Sequence, residues 1–253
     1  MKILLGGALG RMGREVTAAA AEAQVEIVCG VDVAYTGQPS DYPIVTAFDQ
    51  ATQKADVLID FSRPSALPEL LQLARKEKMP TVLCATGYNE AELQMIEEAS
   101  REIPVFRSAN MSLGVNVLRH LVQEAARALG EDFDVEIVER HHRMKADSPS
   151  GTALMLYESV QKEKGPETNP VYGRYGRTQK RTAGEVGIHA VRGGTVTGEH
   201  EVGFYGNGEQ VILTHRAESR ALFAQGALKA AAYLLGKPAG LYSMRDVVRD
   251  MLG

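Results

Sequence analysis

Along the first hundred residues, short and almost uninterrupted apolar runs alternate with longer segments in which apolar positions recur every three or four residues. The runs at 2–5, 26–31, 57–61, 81–83 and 105–106 predict strands, and the segments 11–23, 66–78 and 90–101 predict amphipathic helices between them. Strands that lack polar alternation belong in a sheet covered on both faces, so this succession predicts β-α-β units winding a parallel sheet. Cap chemistry agrees. Asn89 with Glu92 has the capping-box spacing, and Ser65 is placed to cap a helix that carries Pro68 in its first turn.

After Phe106 the character changes. Residues 113–129 predict a long amphipathic helix, 134–141 a strand and 152–162 a helix; the pattern then turns to β with many glycines. Segments 199–205 and 210–214 flank Gly206-Asn207-Gly208, where Asn-Gly predicts a hairpin closed by a primed turn with positive φ. The alanine-rich segment 221–235 returns to helix and 244–251 predicts a last short one, but periodicity assigns this tail to neither half. A chain of 253 residues favours two modest domains over one.

Composition narrows the function. With 44% hydrophobic and 24% charged residues and a formal net charge of -4, the chain reads as an ordinary enzyme rather than a sequence-independent nucleic-acid binder. Met1-Lys2 leads straight into Ile3, without the pattern of a secretory signal, and no apolar run is long enough to span a bilayer; a cytoplasmic protein with no membrane partner is expected. Cys29 and Cys84 both lie in apolar runs and read as buried thiols. No histidine spacing predicts a metal site: alternation along a strand sends His141 and His142 to opposite faces.

The first strand ends in Gly6-Gly7-Ala8-Leu9-Gly10-Arg11-Met12-Gly13 and enters a helix. Glycines at 7, 10 and 13 suit a tight turn, close approach of a pyrophosphate and close helix packing, and the helix N-terminus offers N–H groups to phosphates. The spacing G-x-x-G-x-x-G departs from the dinucleotide fingerprint, so a glycine turn with only a packing role stays open. The second strand ends in Val31-Asp32-Val33, a carboxylate where a Rossmann-like unit needs an acceptor for ribose hydroxyls, or else an ordinary strand-end aspartate. Asp32 repels a 2′-phosphate and Val33 offers no cation, so NADH is expected over NADPH, with Arg11 as the group able to admit the latter. Ligands of an open parallel sheet lie beyond its strand ends, which places Phe61-Ser62-Arg63, Cys84-Ala85-Thr86-Gly87 and Ser108-Ala109-Asn110-Met111 around the nicotinamide half.

Residues 141–153, HHRMKADSPSGTA, carry the second candidate chemistry. Ser150 is a natural N-cap, and the N–H groups of Gly151 and Thr152 suit a carboxylate, with Lys145 adding charge. Fully extended, His141 and Lys145 stand about 13 Å apart, so the chain must curl for both to serve one small ligand. Reduction of a small carboxylate-bearing molecule needs a hydride donor and an acid, and His141 fits the acid. A capped helix preceded by solvated polar residues is the plainer alternative.

These residues also resemble a known family. The run from Glu136-Ile137-Val138-Glu139-Arg140-His141-His142 through Lys145 to Ser148-Pro149-Ser150-Gly151-Thr152-Ala153 resembles the signature of dihydrodipicolinate (4-hydroxy-tetrahydrodipicolinate) reductases of the diaminopimelate route to lysine. The likeness extends to Gly10-Arg11-Met12-Gly13, Asp60-Phe61-Ser62-Arg63-Pro64, Ala109-Asn110, Gly114-Val115-Asn116-Val117, Gly198-Glu199-His200 and Leu241-Tyr242-Ser243-Met244-Arg245-Asp246-Val247. It implies a Rossmann-like α/β parallel-sheet cofactor domain (1–112 and 221–253) and a smaller α+β domain with an open, mostly β sheet (113–220) for substrate binding and oligomerisation. It further implies hydride transfer from NADH or NADPH to C4 of a cyclic dicarboxylate with loss of water. His141 is then the acid and Lys145 a second catalytic, carboxylate-binding group. His142, Ser150, Gly151, Thr152 and Arg220 become substrate contacts, and a homotetramer forms through the second domain's sheet.

The sequence departs from the family pattern in places. Cys84-Ala85 stands where Gly-Thr is common, Met111 replaces a usual phenylalanine, and residues 34–48 are short. The basic stretch Arg174, Arg177, Lys180, Arg181 reads first as a solvated charge run, and otherwise as steering a dianion or touching a neighbouring subunit. Two other functions stay open: a different two-domain nicotinamide dehydrogenase for an amino or keto acid, and an NADH sensor without catalysis.

Overall fold

A computed structural model of the chain describes residues 1–177 and 179–252. Two compact units emerge, Met1–Leu113 with Arg220–Gly253, and Gly114–Ser219.

The first unit holds strands β1 (Lys2–Gly6), β2 (Glu26–Val31), β3 (Ile44–Val45), β4 (Val57–Asp60), β5 (Thr81–Leu83) and β6 (Pro104–Arg107), with helices α1 (Arg11–Glu22), α2 (Leu67–Lys76) and α3 (Glu90–Ser100) between them. The chain returns to this unit with α6 (Ala221–Leu234), β12 (Gly240–Tyr242) and α7 (Met244–Leu252). All strand pairs are parallel and the order is β12-β6-β5-β4-β1-β2-β3. The order reverses between β1 and β4, which makes their carboxyl ends the ligand crevice of a doubly wound sheet.

Alternation along the strands builds a core on each face. Ile3, Leu5, Val57, Ile59 and Val82 point to the side covered by α1, α6 and α7, where Val16, Ala20, Ala227, Ala231 and Val247 meet them. Leu4, Leu58, Leu83 and Val105 point the other way, onto Leu70, Leu71 and Ala74 of α2 and Ile96 and Ala99 of α3. A fully buried aliphatic side chain of this kind contributes roughly 1.5–3 kcal/mol, which is why the apolar runs rather than any loop define the unit.

One local expectation fails, one holds, and two short strands go unforeseen. Ser65 caps nothing: residues Pro64–Ala66 form a 3-10 turn, and α2 begins after Ala66 with no side-chain cap. The capping box of Asn89 and Glu92 does form, both bonds being present. Strands β3 and β12, with two and three residues, had no visible pattern and exist because each pairs with a neighbour already in place.

The second unit comprises α4 (Leu113–Leu129), whose first residue belongs to the other unit, β7 (Asp134–His141), α5 (Gly151–Lys164), β8 (Asn169–Tyr172), β9 (Glu185–Arg192), β10 (Gly198–Tyr205) and β11 (Gln210–Ala217). Its mixed sheet runs β11-β10-β7-β9-β8. Val135, Ile137, Val186, Ile188, Val202 and Phe204 face Leu118 and Val122 of α4 and Leu156 and Val160 of α5. The β10–β11 hairpin closes through Gly206 N–H donating to the Glu209 carbonyl, with positive φ at Gly208 alone. A primed turn needs positive φ at its first central residue, so Asn207 does not adopt the geometry expected of it.

The basic stretch is also corrected. Arg174 pairs with Glu136 at 3.1 Å and Glu185 at 2.7 Å, and Arg181 with Asp134 at 2.8 Å and with Glu136, so both side chains are pinned to the sheet. Arg177 and Lys180 are exposed, as is Arg174 despite its two ion pairs, while Arg181 is half-buried. No helix among the described residues is long and apolar enough to cross a membrane.

Candidate active site

In the first unit, the β1–α1 loop is built by backbone contacts. Gly7 sits at φ +72 and donates to the Val31 carbonyl at 2.8 Å. A Cβ at Gly13 would stand 2.2 Å from the Gly7 carbonyl oxygen, so only glycine lets α1 start this close to the loop. Gly10 occupies the N-cap and makes no side-chain cap bond, which leaves the α1 terminus suited to an anion. Asp32, at the end of β2, accepts from Leu9 N–H and Ala34 N–H, each at 2.9 Å. Its carboxylate thus ties loop to strand and retains acceptor capacity. Val33 is 87% exposed and Arg11 is exposed. A shallow cavity of about 360 Å³ adjoins the loop, lined in part by Leu9, Arg14, Thr17, Ser40 and Tyr42; apart from Leu9, these are residues the sequence pattern did not single out. Thr17 Oγ1 and Tyr42 Oη are hydrogen bonded at 2.8 Å.

The other predicted strand-end residues divide. Phe61, Ser62, Cys84, Ala85, Ser108 and Asn110 are half-buried, and Arg63, Thr86 and Ala109 are exposed. Ala8 is buried and Met12 half-buried against the core, and Met111 is packed into that core. At the end of β4 lies Asp60, 2% exposed, whose carboxyl is pushed up to about 6 by burial although Ser62 N–H donates to it at 3.1 Å. Burial and the Asp60 charge push the Cys84 thiol well up, so it stays protonated and unreactive.

In the second unit, sheet register assembles the polar cluster. Glu139 on β7 is the cross-strand partner of His200 on β10, which pairs with His215 on β11; His141 is the partner of Arg192 on β9. Glu139 is completely buried, and every acceptor direction of its carboxylate is used. Arg192 donates to both oxygens at 2.7 and 2.8 Å, Ser150 N–H to Oε1 at 3.0 Å, and His141 Nδ1 meets Oε2 at 2.5 Å. Against the cost of burial, Arg192, His141 and Ser150 N–H hold the Glu139 carboxyl below its usual range, so it is ionised. Burial lowers His141 and the Glu139 charge partly restores it. His200, its ring 5.1 Å from that of His141, is pushed down to about 4 chiefly by burial and is neutral.

The chain after His141 does curl: Lys145 N–H donates to the His142 carbonyl at 3.1 Å, and Arg143 N–H to the Gly194 carbonyl at 3.3 Å. Lys145 Nζ pairs with Asp147 at 2.9 Å, and its charge is felt at His141 and His200. Ser150 caps α5, its Oγ accepting from Ala153 N–H at 3.2 Å and bonded to His200 Nε2 at 3.1 Å. Gly151 at the helix start is exposed and faces open space. His141, Lys145, Ser150 and Gly151 therefore share one end of this unit, with half-buried His142 and Thr152 beside them, whereas Arg220 belongs to the first unit as the residue before α6. Sequence reasoning passed over Glu139, Asp147, Arg192 and His200 as site groups. Glu139 had a signal, since two positions before His141 is the same face of a strand; Arg192 had none without the register.

Comparison with known proteins decides the family. Residues 1–111 match the family model described as dihydrodipicolinate reductase, N-terminus, and residues 114–248 match dihydrodipicolinate reductase, C-terminus. The chain belongs to the dihydrodipicolinate reductase family. The 4-hydroxy-tetrahydrodipicolinate reductase of Caldanaerobacter subterraneus subsp. tengcongensis is 49% identical over 250 residues, covering 98% of both chains. That of Clostridium tetani is 46% identical over 245 residues, covering 96% of this chain and 95% of its own. A dipicolinate-bound dihydrodipicolinate reductase from Paenisporosarcina sp. TG-14 has the same fold, with a TM-score of 0.80 at 22% identity over 98% of this chain and 99% of that one. Family and Rossmann-like sheet together imply a pyridine nucleotide cofactor. The glycine loop, uncapped α1 terminus and Asp32 fit one.

Proposed function

We propose that this chain reduces 4-hydroxy-tetrahydrodipicolinate to tetrahydrodipicolinate, with loss of water, in the diaminopimelate route to lysine, in the cytoplasm. The nucleotide, when bound, supplies the hydride. The backbone of residues 7–13 and the α1 terminus hold its phosphates, Asp32 its ribose, and residues 61–63, 84–86 and 108–111 border its nicotinamide half. The Asp32 carboxylate, which accepts from two backbone N–H groups, with no cation at position 33, supports NADH over NADPH.

The observation that carries the reading is the His141 cluster beside the α5 terminus. His141, gripped on Nδ1 by an ionised carboxylate, exchanges its proton through Nε2 and acts as the acid. Lys145 and the N–H groups at Gly151 and Thr152 take the substrate carboxylates, with His142 and Ser150 completing the contacts. Burial disfavours protonated His141, and a dianionic ring beside it acts in the opposite direction. The outward face of the second unit's sheet mixes Val191 and Ile212, both nearly half exposed, with Arg140 near Glu199 and Glu201. Such a face suits symmetric self-association and supports a homotetramer, to be read from the mass in solution.

The test is oxidation of NADH and NADPH dependent on the condensation product of pyruvate and aspartate semialdehyde. Turnover with NADH favoured is expected; no turnover with either nucleotide overturns the activity, and a clear NADPH preference overturns the cofactor choice. Competition by 2,6-pyridinedicarboxylate separates this activity from that of a dehydrogenase for open-chain amino or keto acids.

A further inference from the structure

We infer that Glu139, held by Arg192, is the positioning residue that fixes which ring nitrogen of His141 exchanges the catalytic proton. The inference rests on the reading of His141 as the acid.

The argument is one of donor count. Glu139 Oε1 meets two donors, Arg192 Nη2 and Ser150 N–H; Oε2 meets Arg192 Nη1 and His141 Nδ1. An ionised carboxylate only accepts, so Nδ1 must carry a proton and the lone pair of the neutral ring falls on Nε2. Nε2 faces Gly198, where a Cβ would come within 3.1 Å of it. The groups that face His141 are Glu139 on its own strand, Arg192 on β9, His200 on β10 with His215 behind it, and Lys145 in the following loop. Of these, Glu139 alone is an anion. It therefore both selects the tautomer and favours the protonated ring, while Arg192, Lys145 and burial oppose protonation. Ser150 N–H on the same carboxylate couples the ring to the start of α5, so acid and anion-binding terminus are set by one buried group.

Glu139→Gln removes the charge but keeps the shape. The new NH₂ would face two obligate donors at the Oε1 position but only one, Arg192 Nη1, at the Oε2 position, where His141 Nδ1 can turn acceptor, so it settles at Oε2 and donates to Nδ1. The neutral ring then carries its proton on Nε2. Three readouts are expected: ¹⁵N signals of His141 switch from Nδ1-protonated to Nε2-protonated; kcat falls on the order of 10²-fold, with the loss bounded by the 10²–10⁴-fold worth of a general acid and KM changed less; and the alkaline fall of kcat/KM moves to lower pH. Glu139→Asp, which keeps the charge, should recover part of the rate and the wild-type tautomer. In the His141→Gln background, Glu139→Gln should cost little more.

Unchanged tautomer and pH profile in a folded Glu139→Gln protein overturn the inference. Should that variant not fold, the wild-type ring decides: a neutral His141 protonated on Nε2 overturns it, one protonated on Nδ1 supports it. Near-normal turnover of His141→Gln removes the acid assignment and this inference together; loss of turnover in His141→Gln with no effect of Glu139→Gln removes this inference alone.

Discussion

The two units make their sites by opposite means. In the first, the crevice is shaped by backbone: a left-handed Gly7, a missing Cβ at Gly13 and an open helix terminus, with one carboxylate at a strand end. In the second, the site is held by buried charge, with Glu139 satisfied by four donors drawn from β7, β9 and the α5 cap. A backbone site tolerates changes in side chains but not in chain geometry. A charge-network site tolerates small shifts in geometry but not the loss of a partner.

The sharpest way to break that contrast is Arg192→Met. It leaves Glu139 buried with its cation gone, and roughly 3–5 kcal/mol of stability should be lost at neutral pH, read as a lowered urea midpoint. A loss within 1 kcal/mol would mean that the network is ornamental.

Acid should act oppositely on the two units. Asp60 has a raised folded pKa of about 6, so its cost is absent near pH 4 and grows as pH rises to 6; Asp60→Asn should out-stabilise wild type at pH 7 by on the order of 3 kcal/mol and not at pH 4. His200 has a depressed folded pKa of about 4, so its cost is absent above pH 6.5 and grows as pH falls. Relative to His200→Gln, wild type should lose on the order of 3 kcal/mol between pH 7 and 4. Urea titrations of the three proteins across that range check both signs, and parallel pH profiles would refute the contrast.

Gly13→Ala should cost about 1–3 kcal/mol through the forced retreat of the loop, with weaker nucleotide binding by calorimetry. Retained affinity would mean that the loop does not carry the phosphates. Smallest, Ser150→Ala should cost roughly 1 kcal/mol for the lost cap, seen as faster amide exchange in the first turn of α5.

The same contrast explains what could be read from sequence. The parallel sheet was legible because strands such as 3–5 and 57–59 are buried on both faces, and the glycine loop because its constraints are local. His141, Lys145 and Ser150 stood within ten residues of one another and announced themselves. Arg192 lies 53 residues from Glu139, and only the β7–β9 register joins them. Arg174 and Arg181 looked solvated because Glu136, the partner they share, is likewise a strand residue distant in sequence. Ser65 failed as a cap because it lies inside the 3-10 turn Pro64–Ala66, and three residues on stands Pro68, which has no N–H to donate.

Gly198 stands at the edge of the His141 ring, where a Cβ would press on the outward nitrogen. A methyl group there would meet Nε2 at 3.1 Å, so that it or the ring would have to shift by a few tenths of an ångström with every charge left in place. Smallness at this strand position thus keeps the imidazole where its carboxylate partner sets it, at the expense of local sheet preference.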